Sequence, residues 1–216
     1  MIDGILPIEV VCIATAGDDS SAFLLPEEAA QFGWAVEKRV KEFTISRTCA
    51  RRALQKLGLP AVPILRGSHG EPVWPAGVVG SITHCDGYCA AAVALTSDVL
   101  AIGIDAEVHA ALPLDVLQQV CFDDELLWLK QSPPDLHWDC LMFSIKEAIF
   151  KAWFPLTGRW LGFEDVQITF NPEQETFHAR LLQGLLVLTD RTLTGFSGRY
   201  AVRHGLALSA VVVMCK

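Results

Sequence analysis

The order strand, long helix, short strands occurs twice along the chain, and this repetition restricts the fold more than any other feature. The first pass predicts a strand over Ile5–Ala14. A helical region follows Pro26, restarts after Gly33 and runs to about Leu57, where Gly58 and Pro60 stop it. Val36, Val40, Phe43, Ala50, Leu54 and Leu57 approximate one apolar stripe on that helix. A loop rich in Gly and Pro, Arg66–Gly77, leads to strands at Val78–Thr83 and Tyr88–Leu95. After a junction near residues 96–100 the order repeats with longer parts. A strand over Val99–Asp105 precedes helices near Leu112–Val120, Asp123–Lys130 and Asp135–Phe154. Strands follow at Val166–Phe170, Phe177–Leu182, Leu185–Leu188, Ser197–Val202 and Leu206–Val213. Each half reads as a helix packed on a small, largely antiparallel sheet. The expected class is α+β with a pseudo-twofold duplication of that unit, residues 1–98 forming one half and 99–216 the other.

Bulk composition narrows the function. With 216 residues, 51% of them hydrophobic, the chain can bury a sizeable core. A formal net charge of −8 argues against a nucleic-acid binder, which normally carries a basic face. An anionic ligand is still allowed where basic residues cluster. The seven Cys (12, 49, 85, 89, 121, 140 and 215) form an odd set without a CxxC pair, so reduced and mostly buried thiols are expected. His84, Cys85, Cys89, His137 and Cys140 do not have a recognised zinc spacing. Asp3 and Glu9 interrupt the apolar N-terminus, which therefore reads as structure rather than as a signal peptide. No apolar run approaches the ~20 residues that span a bilayer, so a cytoplasmic protein with no membrane partner is expected.

Three short stretches and one basic cluster could carry chemistry. In I-G-I-D-A-E, Ile102–Glu107, residues two apart on a strand share a face, so Asp105 and Glu107 present carboxylates roughly 6–7 Å apart along the backbone. Such a pair suits Mg²⁺, and two solvated acids in a turn are the plain alternative. In V-G-S-I-T-H-C-D-G, Val79–Gly87, a strand end offers hydroxyls and His84, which could bind phosphate or serve the fold alone. Lys38, Arg39, Arg47, Arg51, Arg52 and Arg66 concentrate positive charge in an acidic protein, either as an anion site or as a solvated face. In F-S-I-K-E-A-I-F-K, Phe143–Lys151, Glu147 and Lys151 share a helix face, as an exposed salt bridge or as two groups aimed into a site.

Taken together, G-I-D-A-E, F-S-I-K-E-A-I-F-K some forty residues later, and the preceding G-S-I-T-H-C-D-G resemble the signature motifs of the 4′-phosphopantetheinyl transferases. Motif order and the trailing W-L-G-F-E-D-V-Q-I are similar to the long, pseudodimeric Sfp/EntD type, in its actinobacterial branch, over most of the chain from about Val36. The resemblance implies an enzyme, a holo-[acyl-carrier-protein] synthase. It would use Mg²⁺ and coenzyme A to attach the phosphopantetheine arm to a serine of an apo carrier protein, releasing adenosine 3′,5′-bisphosphate. The carriers would be ACP or PCP domains of fatty-acid, polyketide or non-ribosomal-peptide synthases, and the enzyme a monomer with its active site where the halves meet.

Carried onto this sequence, the resemblance puts Asp105, Glu107, Glu147 and the Ala106 backbone at the metal. Lys151 would contact the pyrophosphate, and Thr83 and His84 would grip phosphate oxygens. Glu147, Lys151 and His84 would be the catalytic groups. Arg39, Arg47 and Arg66 would serve the nucleotide end, Gly67, Ser68 and His69 would continue that loop, and Leu161 would line the pantetheine path. Two departures are visible: Glu71 stands where many members have Lys, and Ile145 where many have Ala. A Mg²⁺-dependent pyrophosphate hydrolase acting on CoA-like nucleotides would share the carboxylates without needing a carrier.

Overall fold

Two sheets with the same internal order are built from the two passes. A computed structural model describes residues 1–31, 36–188 and 192–215. The first pass contains β1 (Val11–Ala16), α1 (Pro26–Ala29), α2 (Glu37–Lys56), β2 (Leu65–Arg66), β3 (Pro72–Val73), β4 (Val78–Cys85) and β5 (Tyr88–Leu95). The second contains β6 (Val99–Val108), α3 (Leu114–Val120), α4 (Asp123–Gln131), α5 (Trp138–Thr157), β7 (Val166–Asn171), β8 (Thr176–Leu181), β9 (Leu186–Val187), β10 (Thr192–Leu193), β11 (Gly195–Arg203) and β12 (Leu206–Met214). One sheet runs β1-β5-β4 and the other β6-β12-β11-β8-β7, all pairs antiparallel. In each, the first strand of the half pairs with the last strand of the hairpin that follows the long helix. The α+β class, with helices on small antiparallel sheets, is what the sequence pattern predicts.

Packing explains this arrangement. Strand β5, Y-C-A-A-A-V-A-L, is buried on both faces from Tyr88 to Ala94, and its four alanines let the neighbouring layers come close. Cys89, Ala91 and Val93 pack with Ile45, Ala50, Ala53 and Leu54 of α2. Ala90, Ala92 and Ala94 turn the other way, onto Ile102, Ile104 and Ala106 of β6 and Leu208 and Ala210 of β12. The opposite faces of β6 and β12 carry α5, through Ala101, Val211, Ile145, Ala148 and Ile149. Alternation along each strand thus distributes its residues between the helix on one side and the other half on the other.

Several boundaries differ from the predicted ones. Ile2–Ile5 forms a 3₁₀ turn, and β1 starts only at Val11. Pro7 cannot donate to a strand ladder and instead accepts the Val10 N–H in a turn (3.1 Å). Strands β4 and β6 run further than predicted, to Cys85 and Val108, so His84 and Glu107 lie on strands. Leu65–Arg66 and Pro72–Val73 make a small hairpin at the start of the predicted loop. Helix α5 continues through Pro155 to a left-handed Gly158. The predicted stripe on α2 also changes. Val36 is exposed, whereas Ser46, Arg47, Thr48 and Arg51 are buried with the apolar residues. The segment before α2 covers its outer side: Thr48 bonds both the N–H and the carbonyl of Phe23, and Arg51 bonds that carbonyl too. The expected restart after Gly33 lies outside the described residues.

Candidate active site

Close approach of α5 to β6 creates the site. A Cβ on Gly103 would sit 1.8 Å from the Ala148 carbonyl oxygen, so only glycine lets the helix backbone rest on that strand. At this distance Lys151 Nζ reaches Asp105 Oδ1 (2.7 Å) and the Ile104 carbonyl (3.1 Å). The ion pair thus runs between helix and strand. Lys146 has a different task. It is buried, and its Nζ donates to Glu125 Oε2 (2.7 Å) and to the carbonyls of Val120 (2.8 Å) and Phe163 (2.9 Å). All three of its donors are used, so it holds α4 and the loop after α5 together.

Strand β4 meets β6 edge to edge. Thr83 is 2% exposed; its Oγ1 donates to Asp105 Oδ1 (3.2 Å) and accepts the Ala106 N–H (3.1 Å). The neighbouring His84 points the opposite way, as strand alternation requires, and lines a cavity. Burial and the Lys151 charge hold the His84 imidazole below its ordinary pKa, against the opposing pull of Glu42.

This cavity, of about 850 Å³, is lined from both halves. Arg39, Arg47 and Arg66 bring positive charge from the first half, and Glu147 and Lys151 come from α5 in the second. Arg39 and Arg66 are exposed at the rim, while Arg47 is 5% exposed. Arg47 lies over the Phe43 ring (4.2 Å), one helical turn away, and its Nε has no hydrogen-bond partner. Burial, aided by the Arg66 and Arg51 charges and opposed by Glu28, lowers its pKa to about 10, so it stays cationic at neutral pH. The remaining basic residues of the predicted set have acid partners: Arg51 pairs with buried Glu28, Arg52 with Asp19 (2.6 Å) and Lys38, at the surface, with Asp86 (2.8 Å).

The carboxylates are near enough to influence one another. Burial, reinforced by Asp105, raises the Glu107 pKa to about 7, and burial also raises that of Glu147. Asp105 Oδ2 is buried without a hydrogen-bond partner. A cation placed among these oxygens would relieve both conditions. Among the described residues, no three His, Cys, Asp or Glu side chains gather in a group that could hold a metal ion by themselves. An open, partly substrate-supplied coordination of the Mg²⁺ type fits such a donor set.

The loop residues divide as well. His69 lines the cavity and packs on Phe154 (5.1 Å between ring centroids), and its N–H is held by Glu71 (2.9 Å). Ser68 bonds the His69 ring (2.9 Å), and Gly67 leaves space that the Glu71 carboxylate fills. Leu161 belongs to the core of the second half, whereas its neighbour Trp160, 79% exposed, lines the cavity and packs on Phe150 (4.8 Å). Sequence reasoning missed Phe150, Phe154, Trp160 and Trp74 as cavity residues. Phe150 and Phe154 share one helix face, but that spacing describes a core stripe equally well.

Two family models match the chain. One, described as the 4′-phosphopantetheinyl transferase N-terminal domain, matches residues 27–94, and the other, the 4′-phosphopantetheinyl transferase superfamily, matches residues 101–200. Whole-length relatives agree. The chain is 47% identical to the 4′-phosphopantetheinyl transferase Svp of Streptomyces mobaraensis, covering 99% of this chain and 89% of the relative. It is 46% identical to Npt of Nocardia iowensis (98% and 99% covered) and 46% identical to PptT of Mycobacterium tuberculosis (88% and 86% covered). The chain belongs to the 4′-phosphopantetheinyl transferases. It is of the actinobacterial type and is an enzyme that transfers the phosphopantetheine arm of coenzyme A to carrier proteins. For a phosphopantetheinyl transferase, a cavity whose charge is cationic on one wall and mixed on the other has a ready chemical use. The hydrolase alternative finds no support among these relatives.

Proposed function

We propose that coenzyme A occupies the cavity between the halves, 1–98 and 99–216, with its nucleotide phosphates toward Arg39, Arg47 and Arg66 and its pyrophosphate toward Lys151 and His84. The observation that carries this reading is Arg47. A buried guanidinium with an unpartnered Nε, set in a cavity shared with Lys151 and Glu147, is electrostatically incomplete until an anion arrives. Lys151 uses two of its three N–H donors on Asp105 and Ile104, leaving one for a phosphate oxygen. Trp160, Phe150 and Phe154 offer an apolar path for the pantetheine arm, with Leu161 packed behind them.

Asp105 through Oδ2, Glu107, Glu147 and the Ala106 backbone are the groups that would hold Mg²⁺. When bound, the ion supplies charge neutralisation on the pyrophosphate. The carrier serine oxygen attacks the phosphorus bearing the pantetheine arm, and the bond to the adenosine 3′,5′-bisphosphate leaving group breaks. Glu147 receives the serine proton, directly or through a water. Burial raises its pKa, which favours proton acceptance, and a Mg²⁺ ion held beside it would draw that pKa back down, which favours the route through a water. Lys151 and the arginines stabilise charge on the departing phosphate.

The working unit is a monomer on this reading, since a single chain supplies both walls of the cavity. It works in the cytoplasm, and among the described residues no helix is long and apolar enough to cross a membrane. Its acceptors are apo carrier domains of fatty-acid, polyketide or non-ribosomal-peptide synthases. Intact-mass measurement of several apo carriers with coenzyme A and Mg²⁺ tests the reading. A covalent gain of one phosphopantetheine arm, abolished by EDTA, is expected. Turnover undiminished in chelator overturns the metal assignment, and free phosphopantetheine with unmodified carrier overturns the transfer.

A further inference from the structure

Strands β4 and β6 belong to different sheets, yet two side chains join them as a ladder would. Ser81 Oγ accepts the Ile104 N–H (3.1 Å), and Thr83 Oγ1 accepts the Ala106 N–H (3.1 Å). Both hydroxyls come from the first half and both amides from the second. Thr83 goes further, because its proton is directed to Asp105 Oδ1 (3.2 Å), the same oxygen that accepts from Lys151 Nζ (2.7 Å). The other oxygen, Oδ2, is buried and unpartnered.

A threonine hydroxyl has one proton to give. With that proton on Asp105, Thr83 cannot also donate to a phosphate, and its side chain is buried against β6 rather than among the residues that line the cavity. We infer that Thr83 is a positioning residue for Asp105: together with Lys151 it occupies Oδ1, fixes the plane of the carboxylate and leaves Oδ2 as the oxygen presented to the divalent metal. The orienting hydroxyl lies on one half and the metal ligand on the other, so docking of the halves sets the metal site. This inference rests on the reading of Asp105 as a Mg²⁺ ligand.

The experiment compares Thr83→Val, Thr83→Ser and Ser81→Ala. Mg²⁺ affinity of the CoA-bound protein and CoA affinity in EDTA are both measured by calorimetry, beside thermal unfolding. Thr83→Val is expected to weaken Mg²⁺ binding by about 10–100-fold, the range for removing a group that orients a metal ligand. CoA affinity in EDTA stays near wild type, and Thr83→Ser restores the metal affinity. Ser81→Ala removes an equivalent inter-strand bond without touching Asp105, so it lowers thermal stability and leaves Mg²⁺ affinity in place. If Thr83→Val does not fold, Thr83→Ala, which leaves room for a water at the Ala106 N–H, carries the same comparison.

Loss of CoA affinity in EDTA with unchanged Mg²⁺ affinity overturns the inference and makes Thr83 a phosphate contact. An equal Mg²⁺ effect from Ser81→Ala overturns it in favour of a purely structural bridge. A wild-type protein that neither binds nor needs a divalent metal overturns the metal reading along with it. A metal-dependent wild type whose Mg²⁺ affinity is untouched by Thr83→Val overturns the inference alone.

Discussion

The two halves share one buried device and differ in what they offer the cavity. In the first, Glu28 near the start of α1 accepts the Leu25 N–H with one oxygen and the Ile64 N–H with the other, and pairs with Arg51 of α2. In the second, Glu125 near the start of α4 accepts the N–H groups of Phe122 and Ile168 and pairs with Lys146 of α5. Each glutamate thus ties a short helix, a distant backbone amide and the long helix together. The cavity walls show the contrast: Arg39, Arg47 and Arg66 on one side, and on the other Glu147 and Lys151, with Asp105 and Glu107 on the adjoining strand. The Glu28–Arg51 and Glu125–Lys146 pairs are closed within the scaffold, whereas Arg47, Glu147 and Lys151 line the cavity.

The sharpest test of that contrast is Glu147→Gln, which keeps the shape of the second half but removes its negative carboxylate. Transfer to a saturating apo carrier is expected to fall roughly 10²–10⁴-fold in single turnover, the range for a missing general base, while CoA affinity is largely retained. Near-wild-type transfer would return Glu147 to the scaffold.

The shared device should respond alike in both halves. Arg51→Met and Lys146→Met each leave a buried glutamate uncompensated, and each should lower unfolding free energy in urea by about 3–5 kcal/mol. A large loss for one and none for the other would break the parallel.

Arg47→Met should separate function from stability. CoA binding weakens by about 1.5–3 kcal/mol, as expected for lost charge-assisted contacts to phosphate. Stability holds or rises, because a buried cation whose Nε has no hydrogen-bond partner is removed. Destabilisation matching that of Arg51→Met would make Arg47 a scaffold residue. The smallest effect is expected at the exposed Arg66, where alanine should weaken CoA binding by about 1–1.5 kcal/mol and dephospho-CoA binding by less. Equal losses for the two ligands would move Arg66 away from the 3′-phosphate.

Apolar alternation and helix stops placed most elements from sequence, because those signals are local. Pro7 was an equally local signal that the first strand could not begin at Ile5. Local patterns say less about charge. Lys146 and Lys151 look alike in F-S-I-K-E-A-I-F-K, and only the packing of α4 against α5 and of α5 against Gly103 gives them separate tasks. Among six clustered basic residues, Arg51, Arg52 and Lys38 find acids from segments 23, 33 and 48 residues away in sequence, and no spacing rule on α2 could reveal those partners.

By itself, then, the sequence determined the α+β class, the duplicated order of elements, the family and the carboxylate strand that faces a charged helix. The class and the element order follow from periodicity, and the family from the residues and order of three short motifs. Tertiary structure alone decided which cations pair with acids and which line the cavity, that the Thr83 proton goes to Asp105, and that Trp160 rather than Leu161 lines the cavity. The physical reason is one of range. Backbone periodicity is set by neighbouring residues, whereas a hydrogen bond or ion pair exists only when distant segments bring donor and acceptor within about 3 Å.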